Sequence, residues 1–502
     1  MKTLHGKIAG LARSGMFAMA LLAAAGTARA AADKVNFILI NIDDLGYADI
    51  GPYGSTSRTP NLDRMAKEGR KLTSHYAAPV CSPSRASLMT GSYPKRAMPT
   101  PGVLFPGGAV GLNPAERTVA EVLKDAGYAT ACVGKWHLGD QPEFLPTRQG
   151  FDFYFGLPYS NDMGPASEGV KSNFGAPLPS DTPAAKKNAK AQVDDETGKK
   201  GMGQPPLPLF KNEAVIARVR AAEQQTLIER YTDEAVGFIR AQKDKPFFLY
   251  LPHSAVHFPL YPSEKHRGKS VNGMRGDWVE ELDASIGRLF DTVRELGIER
   301  KTLVIFTSDN GGPLNHEAKN TPLRGGKGQI FEGGVRVCTI AWWPGRIPAG
   351  TTTDAMTSMM DILPTFAQLA GARVPTDRKL DGVDVSSVLL GTKDAKPPRT
   401  EFFYFGGFTL QAVRSGPWKL HLASKQLFNL ADDIGESKDV AAAQPAVVTR
   451  LQALAQTMEG DLGLTGVGPG CRPLGRVSNA KPAIAMDGTV RAEFAGVHKK
   501  LP

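Results

Sequence analysis

Val35-Asn36-Phe37-Ile38-Leu39-Ile40-Asn41-Ile42 runs directly into Asp43-Asp44-Leu45-Gly46. A near-continuous apolar run without alternation fits a strand covered on both faces, as in a parallel sheet between helices. Two adjacent carboxylates at the end of such a strand repel each other unless a cation lies between them. An Asx-type turn is the plainer reading of the pair. Position favours the cation, because open α/β sheets gather ligands at the carboxyl ends of their strands.

The pattern repeats downstream. Tyr128 to Val133, Pro246 to Leu251, Thr302 to Ser308 and Val335 to Trp342 read as further strands. Helices are expected from Thr59 as cap, over Thr118–Leu123 up to a stop at Gly127, and over Ala222–Gln242, Met274–Leu296 and Met356–Ala370. Alternation of strand and helix implies an α/β fold, a large mixed, mostly parallel sheet sandwiched by helices. After Pro397-Pro398 come the short runs Phe402–Phe405, Leu410–Val413 and Trp418–Leu422, then a helix over Val447–Met458. These suit a smaller C-terminal antiparallel sheet plus helix. The expected division is a main domain at 33–395 and an α+β subdomain at 396–502 with an irregular tail after 460. Residues 160–210, rich in Pro, Gly, Ala and Lys, read as a long surface excursion.

Composition narrows the class. Of 502 residues, 41% are hydrophobic and 22% charged, an ordinary globular balance. Four of the +10 formal charges (Lys2, Lys7, Arg13, Arg29) lie in the first thirty residues, which leaves about +6. No basic stripe with interleaved aromatics appears, so no nucleic-acid partner is expected. Residues 1–30 read as a signal peptide, with a basic start, an apolar stretch from Met16 to Ala25 and Ala28-Arg29-Ala30 as cleavage site. That stretch is short for a bilayer, so the expectation is export without a membrane span, to the periplasm in a Gram-negative host. Four cysteines (Cys81, Cys132, Cys338, Cys471) exclude a disulfide-built fold. Cys132 and Cys338, in apolar runs, read as buried thiols.

Chemistry-bearing residues cluster after the strands. In Cys81-Ser82-Pro83-Ser84-Arg85-Ala86-Ser87-Leu88-Met89-Thr90-Gly91, Ser82 suits a helix cap and Pro83 the first turn. Cys81 would then sit just before a helix N-terminus, a place that attracts anions, with Arg85 one turn on. Gly134-Lys135-Trp136-His137-Leu138-Gly139 offers a cation and an imidazole two residues apart, on one side of an extended chain. His253 and His257 follow the Pro246–Leu251 strand, and Asp309-Asn310 ends the Thr302–Ser308 strand. Arg324-Gly325-Gly326-Lys327-Gly328 is glycine-rich but lacks Walker spacing. Asp43, Asp44, Asp309 and Asn310 are hard oxygen donors, which select Ca²⁺ or Mg²⁺ over zinc. Their separation in sequence excludes an EF-hand.

Together these segments, with Gly156-Leu157-Pro158-Tyr159-Ser160 and Glu332-Gly333-Gly334, resemble the type I sulfatases of the alkaline-phosphatase superfamily, the arylsulfatase A group above all. The resemblance spans nearly the whole chain after the leader. It implies a sulfate-ester hydrolase whose Cys81 is oxidised to Cα-formylglycine by a formylglycine-generating enzyme. It implies Asp43, Asp44, Asp309, Asn310 and the modified Cys81 as calcium ligands, with Mg²⁺ as the other candidate. Arg85, Lys135, His137, Ser160, His257 and Lys327 would surround the sulfate, with His257 rather than His253 in the active position. In the implied mechanism a hydroxyl of the hydrated aldehyde attacks sulfur. Arg85, Lys135 and Lys327 hold the sulfuryl oxygens, His257 or Lys327 protonates the departing alcohol, and His137 assists release of sulfate. The substrate would be a small-molecule or glycan sulfate ester. A phosphodiester or phosphonate monoester hydrolase of the same superfamily is the alternative.

Overall fold

The structure, a computed structural model, describes residues 34–178, 192–194, 196–497 and 500–501. The expected signal peptide at 1–30 lies outside the described residues. An 11-stranded sheet forms the centre. In chain order its main strands are β1 (Asn36–Ile42), β2 (Arg70–Tyr76), β3 (Ala129–Val133), β4 (Phe153–Gly156), β5 (Pro208–Lys211), β6 (Ala214–Arg218), β7 (Phe247–His253), β8 (Thr302–Ser308), β9 (Arg336–Trp342) and β10 (Thr351–Thr353). They lie in the order β10-β2-β9-β8-β1-β7-β3-β4-β5-β6. The central run β8-β1-β7-β3-β4 is parallel, and β9 and β5 join it antiparallel on either side.

Both faces of β1 are covered, as its unbroken apolar character requires. Phe37 and Leu39 pack with Phe248, Tyr250, Leu303 and Ile305 on one face. Ile38, Ile40 and Ile42 pack with Leu249, Leu251, Val304 and Phe306 on the other. Helices α1 (Pro60–Glu68), α2 (Cys81–Thr90), α3 (Val119–Asp125), α4 (Leu227–Ala241), α5 (Gly273–Glu295) and α6 (Ile362–Ala370) close the layers. Leu88, Leu123 and Phe366 cover the first face, and Tyr231, Ile239, Trp278 and Ile286 the second. Each such fully buried side chain contributes about 1.5–3 kcal/mol.

A separate antiparallel sheet, β11 (Glu401–Gly406), β12 (Thr409–Ser415), β13 (Trp418–His421) and β14 (Leu427–Asn429), packs with α7 (Pro445–Gln456). Among the described residues no helix is long and apolar enough to cross a membrane. All four cysteines are free, and Cys132 and Cys338 are buried.

Several elements differ from the sequence-based expectation. Helix α2 starts at Cys81, with extended Val80 as cap. Ser82 does not cap it, because its hydroxyl accepts the Leu104 N–H. Thr59 precedes α1 without capping it, its hydroxyl being taken by Gly51 N–H. The helix expected over Ala222–Gln242 breaks into Ala221–Gln224 and α4. The start of Met356–Ala370 is instead a two-residue strand beside β2 and a tight turn, closed by Asp361 accepting Ser358 N–H. The expected excursion at 160–210 is not all surface. Ser160, Asn161, Val170 and Gln204 are buried, and Pro208–Lys211 extends the main sheet. The tail also returns to the main sheet's side of the molecule, where Gly475–Arg476 pairs with Val110–Gly111.

Candidate active site

The carboxyl ends of the parallel strands meet at one edge, and the loops leaving them build the site. Asp43 and Asp44 follow β1, Asp309 and Asn310 follow β8, Lys135 and His137 follow β3, and Ser160 follows β4. Close backbone approach is what lets these ends converge. Gly134, at φ +134°, would place a Cβ 1.9 Å from the Pro252 carbonyl oxygen. The loop after β7 is sewn to β1 by Asp43 N–H to Ala255 O (3.1 Å) and Val256 N–H to Asp43 O (2.9 Å). Arg275 of α5 fixes Asp44 from below, donating to its carbonyl (2.6 Å) while paired with Asp49 (2.8 Å).

Cys81 Sγ donates to Asp43 Oδ1 at 3.3 Å. One ligand atom each from Asp43, Asp44, Cys81 and His257 lie within 4.8 Å of one another. Cations interleave with the carboxylates. Lys135 Nζ lies 2.5 Å from Asp43 Oδ2, Lys327 Nζ 2.8 Å from Asp44 Oδ2, and Arg85 grips Asp309 Oδ2 through Nη2 (2.7 Å) and Nε (3.0 Å). Asp309 Oδ1 accepts Asp44 N–H (3.3 Å), and Asn310 Nδ2 donates to Asp44 Oδ1 (2.7 Å). Burial opposes ionisation of Asp43, but Lys135, His257 and Arg85 outweigh it and hold its carboxyl well below the usual range. For Asp309, burial and the neighbouring Asp43 charge win over Arg85 and push the carboxyl up. Burial likewise pushes the Cys81 thiol up, with Asp43 adding to it.

The remaining candidates are placed less directly. His137 is not in extended chain, since its φ is +67°. Its Nε2 meets the Leu104 carbonyl at 2.9 Å, and burial with the Lys135 and Arg85 charges pushes its pKa well down. Ser160 Oγ is buried and makes no hydrogen bond among the described residues. His257 Nε2 stands 3.6 Å from Asp44 Oδ2. His253 is a core residue beside Tyr231 (ring centroids 5.9 Å), held neutral by burial with a pKa of about 3. The motifs did not mark Asn161 and Asp162, although they directly follow Ser160. Nor did they reveal the buried Glu332–Lys419–Glu436 cluster beneath the Lys327 loop, whose members come from three separate segments.

The oxygen donors fit a divalent ion. Asn310 Oδ1 is buried with no hydrogen-bond partner among the described residues, next to the carboxylates of Asp44 and Asp309. Three carboxylates (Asp43, Asp44, Asp309) face three cations (Arg85, Lys135, Lys327), so an added dication leaves a positive excess that attracts an anionic ester.

Residues 35–372 match the family model described as Sulfatase. The chain belongs to the sulfatase family. The sulfatase is 39% identical over 426 residues to N-acetylgalactosamine-6-sulfatase of Canis lupus familiaris, an alignment covering 82% of this chain and 76% of the relative. It is 40% identical over 424 residues to arylsulfatase A of Bos taurus, covering 81% and 78%. Among solved structures, the PsFucS1 sulfatase from Pseudoalteromonas sp. superposes with TM-score 0.74 at 29% identity, covering 87% of this chain and 92% of that one. Ps i-CgsB in complex with k-i-k-neocarrahexaose gives TM-score 0.69 at 31% identity, covering 85% and 92%. The sulfatase is therefore a sulfuric ester hydrolase, of a family that works with a metal ion and a formylglycine.

Proposed function

We propose that the sulfatase cleaves a sulfate ester at residue 81, with calcium held by Asp43, Asp44, Asp309 and Asn310. An all-oxygen donor set rich in carboxylates suits calcium, and magnesium is the closest competitor. Two groups absent from the unmodified chain complete the site: when present, the ion and the oxidised residue 81 supply charge stabilisation and an oxygen nucleophile for sulfur. Maturation falls to a formylglycine-generating enzyme, and the basic, apolar leader supports export, to the periplasm in a Gram-negative host.

The chain's own residues do the rest. Arg85, Lys135 and Lys327 bind the sulfuryl oxygens and stabilise the charge that grows on them. Ser160, with its buried unpaired hydroxyl, contributes a further donor. His257 or Lys327 gives the proton that the departing alcohol requires, and His137 takes one as sulfate leaves. Two of the relatives bear the names N-acetylgalactosamine-6-sulfatase and steryl-sulfatase. A glycan or small-molecule sulfate ester is accordingly the expected substrate class.

The observation that carries this reading is the 3.3 Å contact between Cys81 Sγ and Asp43 Oδ1 beside the buried pairs Lys135–Asp43 and Arg85–Asp309. Peptide mass spectrometry across Cys81 tests it. Exchange of CH₂SH for CHO at this residue, together with loss of turnover in Cys81→Ala, is the expected result. An active protein carrying an intact thiol sinks the reading.

A further inference from the structure

We propose that Asp162 is the positioning residue that makes His257 the proton donor to the departing alcohol. The proposal rests on the sulfate-ester reading above, which leaves His257 and Lys327 both open as donors.

His257 lies between two carboxylates. Its Nε2 faces the charge cluster, 3.6 Å from Asp44 Oδ2. Its Nδ1 lies 2.5 Å from the Phe258 carbonyl, which can only accept, so Nδ1 carries the hydrogen. Asp162 Oδ1 stands 3.9 Å from the same Nδ1, within ion-pair range. Among the described residues that oxygen is buried and makes no hydrogen bond to any other group.

The placement is built rather than incidental. Asn161, fully buried, donates to Gln224 Oε1 (2.8 Å), to Pro259 O (3.1 Å) and to His257 O (3.4 Å). Gln224 Nε2 returns a bond to Asn161 O at 3.1 Å. One amide thus locks the loop after β4 to the loop after β7. Lys171 secures Asp162 from behind, bonding its carbonyl and, at 2.5 Å, Gln204 Oε1. It lies 4.0 Å from Asp162 Oδ2.

An imidazolium whose Nδ1–H is held by a carbonyl and backed by a carboxylate has one orientation and presents its second proton on Nε2. Here that nitrogen points at the reacting groups. Lys327 is instead engaged by Asp44 at 2.8 Å. In the step proposed, sulfur gains a bond to the incoming oxygen nucleophile as its bond to the alcohol oxygen breaks, and that bond's electron pair goes to the alcohol oxygen. That oxygen takes the proton from His257 Nε2, and the neutral ring recovers a proton from solvent.

Leaving-group dependence tests this, because a proton donor matters most when the alcohol leaves poorly. The kcat of wild type, Asp162→Asn, Asp162→Ala and His257→Ala is measured on phenyl sulfate and on 4-nitrophenyl sulfate. The expected loss in both Asp162 variants is about a hundredfold on phenyl sulfate and about threefold on 4-nitrophenyl sulfate. Adding Asp162→Ala to His257→Ala is expected to cost little more, since the two act as a unit. Equal losses on both esters, or none, overturn the proposal. Asp162→Asn keeps the side-chain shape and decides the matter if the alanine variant does not fold. A wild-type enzyme that carries the aldehyde at residue 81 yet cleaves neither aryl ester nor any sulfated glycan overturns the sulfate-ester reading itself and this proposal with it.

Discussion

Lys135 Nζ stands 2.5 Å from Asp43 Oδ2, and both side chains are fully buried. Neither charge is tolerable there alone. Lys135→Met leaves Asp43 with the more distant Arg85 (3.9 Å) and removes a cation expected to grip the sulfuryl oxygens. We expect kcat to fall at least about a hundredfold, the usual effect of deleting one electrostatic stabiliser. Stability should fall by about 3–5 kcal/mol, as for a broken buried pair. Steady-state kinetics with urea unfolding checks both, and a variant losing activity without stability would remove the structural half of the claim.

Lys419 of the C-terminal sheet is fully buried and bonds Glu332 Oε1 (2.8 Å), Glu436 Oε1 (3.0 Å) and the Ile330 carbonyl (2.7 Å). Glu436 in turn accepts Glu332 N–H at 2.6 Å. The cluster clasps the segment that follows Lys327. Lys419→Met leaves two buried carboxylates facing each other and should destabilise by about 3–5 kcal/mol. Lys419→Met/Glu332→Gln should recover part of that loss. A double variant no more stable than the single one contradicts a charge-based origin.

Much of this was legible from residue order. The apolar run of β1 and the carboxylates after it specify a parallel strand end where charged groups gather, because burial on both faces leaves no polar alternation. Cys81 and Arg85 were legible as a pair because helical spacing relates them. Their approach to Asp43 and Asp309 came only from the family resemblance, since it depends on strand order. The same holds for Asp162, whose importance comes from a partner 95 positions away (His257) and from no local periodicity. Helix starts failed where a distant N–H took the capping hydroxyl, as Leu104 does with Ser82. Residues 160–210 misled because composition reports flexibility of the isolated chain. The contact of Lys171 with Gln204 is tertiary.

Glu281 of α5 accepts the Ser263 N–H at 2.8 Å beside a cleft between α4 and α5, and burial raises its pKa from 4.5 to about 7. Between those values the folded chain holds the proton and the unfolded chain does not. Stability therefore falls as pH rises through this window, by about 1–3 kcal/mol in total. Glu281→Gln keeps an acceptor for Ser263 and carries no charge. The variant should match wild type near pH 4.5 and exceed it above pH 7. Urea midpoints of both proteins across that range decide the point, and a pH-independent difference refutes it.

Metal removal gives the last test. Asp44 bonds Lys327, Asn310 and, through its main chain, Asp309 and Arg275, so it anchors the oxygen donors from both strand ends. Chelation should abolish turnover and lower Tm. A ligand held only by the folded state stabilises it by about 2.7 kcal/mol at a hundredfold excess over Kd. Calcium should restore both at lower concentration than magnesium, because several carboxylates with little water suit the larger ion. Asp44→Asn keeps the shape but weakens the charge, so it should raise the calcium concentration needed for half-maximal Tm shift about tenfold. The Tm shift is read without substrate, which separates binding from catalysis. A chelated protein that keeps its Tm and its turnover means that the acidic cluster serves the fold alone.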